Sequence, residues 1–337
     1  MQLHIVVPGL LWPKDSLNEI TRGLGQRGLP ALATLLGRGC LERHPPLPLE
    51  HWLGKAFGIH TEETPFGALR LLGDGLDPGA DAWLCADPVH LRFSRDTLVV
   101  GGATELDLAQ HEATQLVAEL NAHLAEFGEF IAPHPRRWYL RLKRPPHLST
   151  HTLSTVTGRT IEPFLPQGDD ARAWRRFINE AQVLLHNHPL NTAREAAGRP
   201  TANSLWLWGA GALPSGAVAP VAHVHANHPL ALGLAKLAGI AATPAPARAN
   251  DAVPQSLTFL EDLGEAAQTL DAMTWRAGLA ELEANWFAPL LVALKLRRLQ
   301  QLRLTALGDA ATIDVTINAG DLRKFWRRPQ SLSDILQ

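Results

Sequence analysis

Two short stretches of the sequence hold residue types that could bind a ligand or a metal. In "HVHANHP", His223 and His225 share one face of a predicted strand, and His228 follows where that strand should end. Imidazole is a common zinc ligand, so a metal site is one interpretation. We favour the other, in which Asn227 and His228 are polar lining of a cleft, because the segment holds no carboxylate and one strand end rarely supplies three tetrahedral ligands.

The second stretch is "SLWLWGAG", a predicted strand that runs into Gly209 and Gly211. Glycines let the backbone turn sharply at the carboxyl end of a core strand, where open α/β sheets bind their ligands. The spacing lacks the third glycine of a dinucleotide loop and the lysine of a P-loop. Trp206 and Trp208 share one face, and core packing or contact of Trp208 with a ligand are both open.

A scaffold of alternating strands and helices is predicted around these residues. "LHIVV" is typical of a strand buried on both faces of a parallel sheet, and "LPALATLLGRG" predicts a helix after it. Alternation returns near residue 190 with strands "SLWLW", "AHVHA" and "SLTFL", a helix "PLALGLAKLAG" and a long helix over Met273 to Arg298. "LQQLRLTAL" and "TIDVTI" predict a strand pair, and "DLRKFW" a last short helix.

The middle of the chain changes character. "AWLCA", "VHLRF" and "DTLVV" predict short strands, followed by a helix over Glu105 to Phe127, a strand "WYLRL" and a helix over Asp169 to His186. The expected fold is therefore α/β, with a doubly wound, mostly parallel sheet and an inserted smaller α+β domain. We predict that residues 1–75 and 190–337 form the core domain and that residues 76–189 form the insertion.

Composition and charge exclude several classes of function. The 337 residues hold 31 Lys and Arg against 33 Asp and Glu, and a net charge of −2 argues against a surface that attracts polyanions. The basic stretches "RRWYLRLKRPP" and "LRKFWRRPQ" could bind single-stranded nucleic acid, but solvated faces are the favoured interpretation. Only two cysteines, Cys40 and Cys85, and no signal peptide predict a reducing, cytoplasmic location and no membrane partner.

The long stretch "LLHNHPLNTAREAAGRPTANSLWLWGAG" resembles the archaeal-type cofactor-independent phosphoglycerate mutases of the alkaline phosphatase superfamily. "TPFGALRLLGDGLDPGADAWLCADPVHL" looks like the entry of that family into its inserted domain, and "ALGLAKLAG" like a helix of its core. The resemblance implies an alkaline-phosphatase-like core. It also implies phosphoryl transfer through a Ser or Thr activated by two divalent ions, such as manganese or magnesium.

The residues that this chemistry needs are replaced here. Where the family has Asp-Gly after the first strand, this chain has Pro8-Gly9, and Leu29 stands at the position of the nucleophile. Where the family has Thr-Ala-Asp-His, the chain has Thr305-Ala306-Leu307-Gly308, and no histidine follows His228. The resemblance therefore implies a member without its metal ligands, and the expected cofactor is none.

Three functions follow as alternatives. The favoured one is a catalytically degenerate relative that binds a small organic anion or a partner protein in a regulatory role. An active mutase or related phosphotransferase with relocated site residues is the second, and a nucleic-acid adaptor is the third. No catalytic residue is assigned, and the expected ligand cleft at the carboxyl edge of the sheet comprises Trp12, Asn203, Trp208, Gly209, Gly211, Asn227 and His228.

Overall fold

The structure is a computed structural model that describes residues 2–12, 28–60, 63–102 and 104–335. Its strands are β1 (Gln2–Leu11), β2 (Cys40–His44), β3 (Ala82–Val89), β4 (Leu91–Ser94), β5 (Thr97–Val100), β6 (Gly128–His134), β7 (Arg137–Leu142), β8 (Ser204–Ala212), β9 (His223–His225), β10 (Ala241–Thr243), β11 (Ser256–Phe259), β12 (Gln301–Gly308) and β13 (Thr312–Asn318).

Helices connect most of these strands. They are α1 (Pro30–Arg38), α2 (Leu49–Ala56), α3 (Phe66–Gly73), α4 (Gln110–His123), α5 (Leu153–Val156), α6 (Ala171–Asn187), α7 (Pro189–Ala196), α8 (Pro229–Leu237), α9 (Gly264–Gln268), α10 (Ala272–Leu282), α11 (Ala288–Lys295) and α12 (Leu332–Ile335). A π-helical turn, Glu283–Phe287, joins α10 to α11. Short 3-10 turns occupy Glu162–Phe164, Ala249–Asp251 and Asp321–Arg323.

The chain divides into two compact units, and the first combines Met1–Trp52 with Ala219–Gln337. Its seven-stranded sheet has the order β10-β9-β11-β1-β12-β13-β2. The strands from β10 to β12 in this order are parallel, whereas β13 is antiparallel to both β12 and β2. The predicted α/β class with a mostly parallel sheet is confirmed, as is the terminal strand pair.

The core of the first unit contains β1, β12 and the long helical run that begins at Ala272. This run is apolar and long enough by length and composition to cross a membrane, a test that the core helix of a soluble protein also passes. Trp275, Leu279, Phe287 and Leu294 of the run are buried in the same cluster as Ile5 and Val7 of β1. Burial of this apolar surface is the main stabilising contribution in the unit.

The second unit, Leu53–Val218, contains a four-stranded antiparallel sheet of order β6-β7-β3-β8 and the hairpin β4–β5. The prediction that "SLWLW" belongs to the main parallel sheet is wrong, because β8 pairs antiparallel with β3. Leu205 and Leu207 pack with Phe177 of α6, while Trp208 on the other face meets Phe66 of α3. Cover on both faces gives β8 the continuous apolar pattern of a parallel core strand.

The unit boundaries follow from this pairing. They fall after Trp52 and after Val218, whereas the predicted boundaries were after residues 75 and 189. The first unit contains both ends of the chain. Two element predictions also change: α4 spans only Gln110–His123, and "DLRKFW" forms only the 3-10 turn Asp321–Arg323.

Candidate functional site

The carboxyl ends of β1 and β12 meet in the centre of the seven-stranded sheet. Pro8 is the register partner of Leu307, and Leu11 that of Gly308, with a bulge between the two pairs. A Cβ atom on Gly308 would lie 2.5 Å from the Leu11 Cβ. The residues that stand at the ligand positions predicted from the resemblance therefore come together, and they pack as apolar groups without a ligating atom in their side chains.

Gly9 lets another segment of the chain pack against the carboxyl end of β1. Its φ of +74° favours glycine, and a Cβ atom there would lie 2.6 Å from the Leu263 carbonyl oxygen. The turn before α9 therefore approaches β1 closely. The Gly9 carbonyl accepts a hydrogen bond of 2.7 Å from the indole of Trp275, whose ring meets that of Trp12 edge-on at 5.2 Å. Trp12 is thus part of the packed core.

The first turn of α1 contacts an internal carboxylate. The backbone N–H groups of Ala31 and Leu32 donate to the two carboxylate oxygens of Glu283, at 2.6 Å and 3.0 Å. A helix N-terminus attracts anions through its free N–H groups and its dipole. The π-helical turn that begins at Glu283 supplies that anion from within the chain. Leu29 is the N-cap residue of α1, and its side chain makes no capping hydrogen bond.

The most strongly perturbed carboxyl group of this edge is Glu261, two residues beyond the end of β11. Burial, and after it the nearby Asp262 and Glu50, raise the pKa of Glu261 to about 7, while the Asn227 backbone N–H acts against the rise. Glu261 is half-buried and Asp262 is exposed. A perturbed carboxyl at the carboxyl edge of a parallel sheet is a candidate functional group.

The histidine stretch forms a hydrogen-bonded pair rather than an open ligand set. His223 Nε2 and His225 Nδ1 each lie 2.9 Å from the Thr243 hydroxyl, and His225 Nε2 accepts from the Val253 N–H at 3.1 Å. Burial, followed by the His223 charge, lowers the pKa of His225. Within the ranges that the structure describes, no three His, Cys, Asp or Glu side chains are grouped so that they could hold a metal ion.

A histidine, hydroxyl and carboxylate also meet inside the first unit. His4 Nε2 lies 2.8 Å from the Thr305 hydroxyl, which donates to Asp314, and Arg303 donates to Asp314 at 2.8 Å. Burial, followed by the Arg303 charge, lowers the pKa of His4 to about 3. Thr305 has no exposed surface and its proton is held by Asp314, so this hydroxyl is a structural link between strands.

In the second unit, Trp208 belongs to a buried polar network. Its indole N–H donates to Asp87 at 2.9 Å, and Arg70 donates to both oxygens of that carboxylate at 2.7 Å. The Arg70 guanidinium also stacks on Tyr139 and Trp208. Burial disfavours the charged guanidinium, but the pKa of Arg70 is held above its ordinary value by Asp87. Trp208 is only 3% exposed, as the packing interpretation requires.

The Gly-x-Gly pair has a packing role. Gly209 and Gly211 have φ of +66° and +150°, and Cβ atoms there would lie 2.5 Å from Phe66 and 2.8 Å from Pro65. The glycines therefore let the start of α3 lie against β8. This answers the question raised by "SLWLWGAG": within the second unit, the close approach is that of a helix.

The motif that carries the family resemblance also holds the second unit together. Arg194 donates to both Glu112 oxygens at 2.9 Å and to the Pro200 carbonyl at 2.8 Å. Asn191 bonds the backbone at Leu185 and Ala202. Asn203 ties the Leu91 N–H and carbonyl at 2.7 Å and 2.8 Å. These residues act on the scaffold.

The predicted cleft residues are divided between the two units. Trp12, Asn227 and His228 lie in the first unit, whereas Asn203, Trp208, Gly209 and Gly211 lie in the second, because β8 is not in the seven-stranded sheet. Asn227 lies next to Glu261, and His228 precedes α8 as its N-cap residue. Glu261 and Glu283 were missed. Acidic residues directly after the buried run "SLTFL" were the signal for Glu261, while the Glu283 contact spans a separation of 252 residues.

Comparison with known proteins agrees with the sequence motif. No protein-family model matches the chain. The 2,3-bisphosphoglycerate-independent phosphoglycerate mutase of Methanosarcina barkeri is 30% identical over 139 residues, which are 39% of this chain and 34% of that relative. The 2,3-bisphosphoglycerate-independent phosphoglycerate mutase 2 of Methanothermobacter thermautotrophicus is 31% identical over 161 residues, 44% of this chain and 37% of that relative.

These matches span little more than a third of the length of the curated relatives. Among solved structures, the PH0037 protein of Pyrococcus horikoshii superposes with a TM-score of 0.52 at 16% identity, covering 99% of this chain and 91% of that one. Likeness at this identity concerns the fold. By sequence, the matched part of the chain is similar to 2,3-bisphosphoglycerate-independent phosphoglycerate mutases.

Proposed function

We propose that the chain is a catalytically degenerate relative of these mutases that binds a partner protein in a regulatory role. The observation that carries the proposal is the packing at the carboxyl ends of β1 and β12, where Pro8, Leu307 and Gly308 stand in place of ligands. A two-ion centre needs carboxylates and imidazoles that bridge two metals a few Å apart. The residues present at these positions do not fit that centre.

The first turn of α1 supports the same proposal. The transferred phosphoryl group of a mutase carries negative charge, and a helix N-terminus is a natural site for it. Here Glu283 already accepts the Ala31 and Leu32 N–H groups. A phosphoryl group would have to displace a carboxylate that is covalently part of the chain.

The charge at the sheet edge favours a partner over a small organic anion, the other ligand that the sequence suggested. Glu261 lies near Asp262 and Glu50, and its pKa is raised first by burial and then by the repulsion of these two carboxylates. An anion would meet the same repulsion, whereas a partner could bring cationic or neutral polar groups. The soluble, cytoplasmic location belongs to this proposal as well.

An active mutase with relocated residues is the alternative, and Glu261 is the observation that favours it. A carboxyl group with a pKa near 7 is suited to general acid–base catalysis. Calorimetric titration with Mn²⁺, with and without 3-phosphoglycerate, separates the two. We expect no saturable binding of Mn²⁺, whether or not 3-phosphoglycerate is present. Stoichiometric Mn²⁺ binding that is lost in Glu261→Gln and retained in the exposed control Glu281→Gln would support the alternative.

A further inference from the structure

The turn after β13 presents two adjacent aromatic side chains to solvent. Phe325 is 82% exposed and Trp326 is 67% exposed, and their rings meet edge-on with centroids 5.3 Å apart. Large aromatic side chains dominate the energetics of cores and interfaces, so an exposed pair of them indicates a binding surface. Nothing in the carboxyl-edge site uses this pair.

The turn that carries Phe325 and Trp326 is held in place by hydrogen bonds. The Phe325 N–H donates to the Arg323 carbonyl at 2.8 Å, and the Arg327 N–H donates to the Lys324 carbonyl at 2.9 Å. Farther along, the Arg327 guanidinium donates to the Gly39 carbonyl at 3.0 Å, just after α1. The aromatic pair is therefore held in place before any partner arrives, which lowers the entropy cost of binding.

The same turn carries uncompensated positive charge. Arg323, Arg327 and Arg328 are exposed, and across the described parts of the chain none of them forms an ion pair with a carboxylate. Lys324, by contrast, is paired with Asp321 at 2.6 Å. The whole chain has a net charge of −2, so the positive charge of this turn is opposite in sign to that of the chain. An acidic ligand complements it.

An open sheet edge lies beside the arginines. β2 ends the order of the seven-stranded sheet, and no other described strand pairs with its free edge. A cavity of about 430 Å³ is lined by Leu36, Gly37, Gly39, Cys40, Leu41, Arg327, Arg328 and Gln330. It therefore joins the start of β2 to the arginine side of the turn. A free edge offers unpaired backbone N–H and C=O groups to another polypeptide.

We propose that this surface, the turn Arg323–Arg328 with the free edge of β2, binds an extended acidic segment of a partner protein. The segment adds to β2 as a strand through the cavity, places carboxylates against the exposed arginines of the turn, and covers Phe325 and Trp326 with an apolar side chain. Trp and Arg are the residues most enriched among interface hot spots. Strand addition supplies affinity from the main chain and specificity from alternate side chains.

The backbone edge distinguishes this occupant from two others with matching charge. Single-stranded nucleic acid would stack on the aromatic rings and contact the arginines, and an anionic membrane would accept the same side chains. Neither ligand has the alternating N–H and C=O groups that pair with a strand edge along its length. Glu42 on β2 is exposed, and its carboxylate lies 3.8 Å from the His44 ring. Because this carboxylate would repel another one, the acidic positions of the segment should lie away from Glu42, at the arginine end of the surface.

The test begins with random peptides of roughly nine residues, about the length of a strand, displayed on phage and selected on the purified chain. Counter-selection uses the double variant Phe325→Ala/Trp326→Ala, with Phe93→Ala as a matched control. Phe93 is 77% exposed, lies near Arg92 and Arg95, and belongs to the second unit. We expect a consensus of Asp or Glu alternating with apolar residues.

The selected peptide is then synthesised with and without N-methyl groups on every second amide, and binding is followed by fluorescence anisotropy. We expect the double variant, Arg323→Gln/Arg328→Gln and the N-methylated peptide each to weaken binding by about tenfold or more, with Phe93→Ala unchanged. An unchanged melting temperature of the variants shows that they remain folded.

Three results would overturn the inference: a selection without acidic enrichment, equal binding by the N-methylated peptide, or equal binding by the double variant. Tighter binding of oligo(dT) or of phosphatidylserine vesicles through Phe325 and Trp326 would assign the surface to those partners instead. The inference does not depend on the loss of mutase activity, because these measurements use neither Mn²⁺ nor phosphoglycerate.

Discussion

Pro8 of β1 and Leu307 of β12 are register partners on adjacent parallel strands, at the edge where α/β sheets place their sites. The sequence resemblance predicts metal ligands at both positions. Their neighbours Gly9 and Gly308 are each approached by backbone or side-chain atoms at distances that no Cβ atom tolerates. Among the residues that the structure describes, atoms of the chain itself therefore pack closely at this edge.

The close approach at Gly9 predicts a large cost for a single methyl group. Gly9→Ala should lower the free energy of unfolding by about 3 kcal/mol or more, because strain at positive φ is added to a clash with the Leu263 carbonyl. The matched control is Gly239→Ala, at a φ of +67° with open space around it, which should cost about 1 kcal/mol. Urea unfolding of both variants measures the difference. Equal costs would mean that β1 and the turn before α9 are not packed this closely.

Glu283 predicts a measurable effect of inorganic anions. Glu283→Ala should cost about 1–2 kcal/mol of stability, because the Ala31 and Leu32 N–H groups lose a charged acceptor. Sulfate should then raise the melting temperature of the variant more than that of the unaltered chain. Glu281→Ala, two residues earlier on an exposed position, is the control. A sulfate response that is the same in all three proteins would contradict the assignment.

The raised pKa of Glu261 predicts a pH dependence of stability. Its folded-state pKa of about 7 lies above the ordinary value of 4.5, so the folded chain holds this proton more tightly than the unfolded chain. The contribution of Glu261 to stability is therefore retained below pH 4.5 and lost as the pH rises through 7. Glu261→Gln should be more stable than the unaltered chain at pH 8, by at most about 2–3 kcal/mol because the group is half-buried.

That difference should vanish near pH 4, and chemical denaturation at the two pH values measures it. The exposed Glu281→Gln should show no such pH-dependent gain. If Glu261→Gln is less stable at pH 8, the carboxylate must be paired with a cation rather than repelled by Asp262 and Glu50.

The buried position of Trp208 predicts a loss of stability on truncation. Trp208→Ala should cost about 3–5 kcal/mol, because it empties core volume and removes a hydrogen bond to Asp87. The exposed Trp326→Ala should change stability by less than about 0.5 kcal/mol. A small loss for Trp208→Ala, together with weaker binding of a ligand found by thermal shift, would favour the ligand-wall interpretation.

The sequence predicted those elements whose patterns are local. "LHIVV", "TIDVTI" and the helix over Asp169 to His186 have periodicities that short-range packing explains, and the structure confirms them. Which sheet β8 joins could not be predicted in the same way, because strand pairing depends on residues that are distant in the sequence. A strand covered by helices on both faces has the same apolar pattern in either sheet.

The site was predictable only in part for a similar reason. Pro8, Leu307 and Gly308 were singled out by the sequence resemblance, and their convergence follows from the parallel pairing of β1 and β12. The contacts of Glu283 with α1 and of Leu263 with Gly9 depend on tertiary packing, for which a linear pattern carries no signal.

Turnover is the sharpest test of the proposed loss of phosphoryl transfer. The measurement is conversion of 3-phosphoglycerate to 2-phosphoglycerate by the purified chain in the presence of Mn²⁺, followed by an enolase-coupled assay. We expect a rate indistinguishable from that of the same assay mixture without the chain. A rate that saturates with 3-phosphoglycerate and falls on chelation of Mn²⁺ would contradict it.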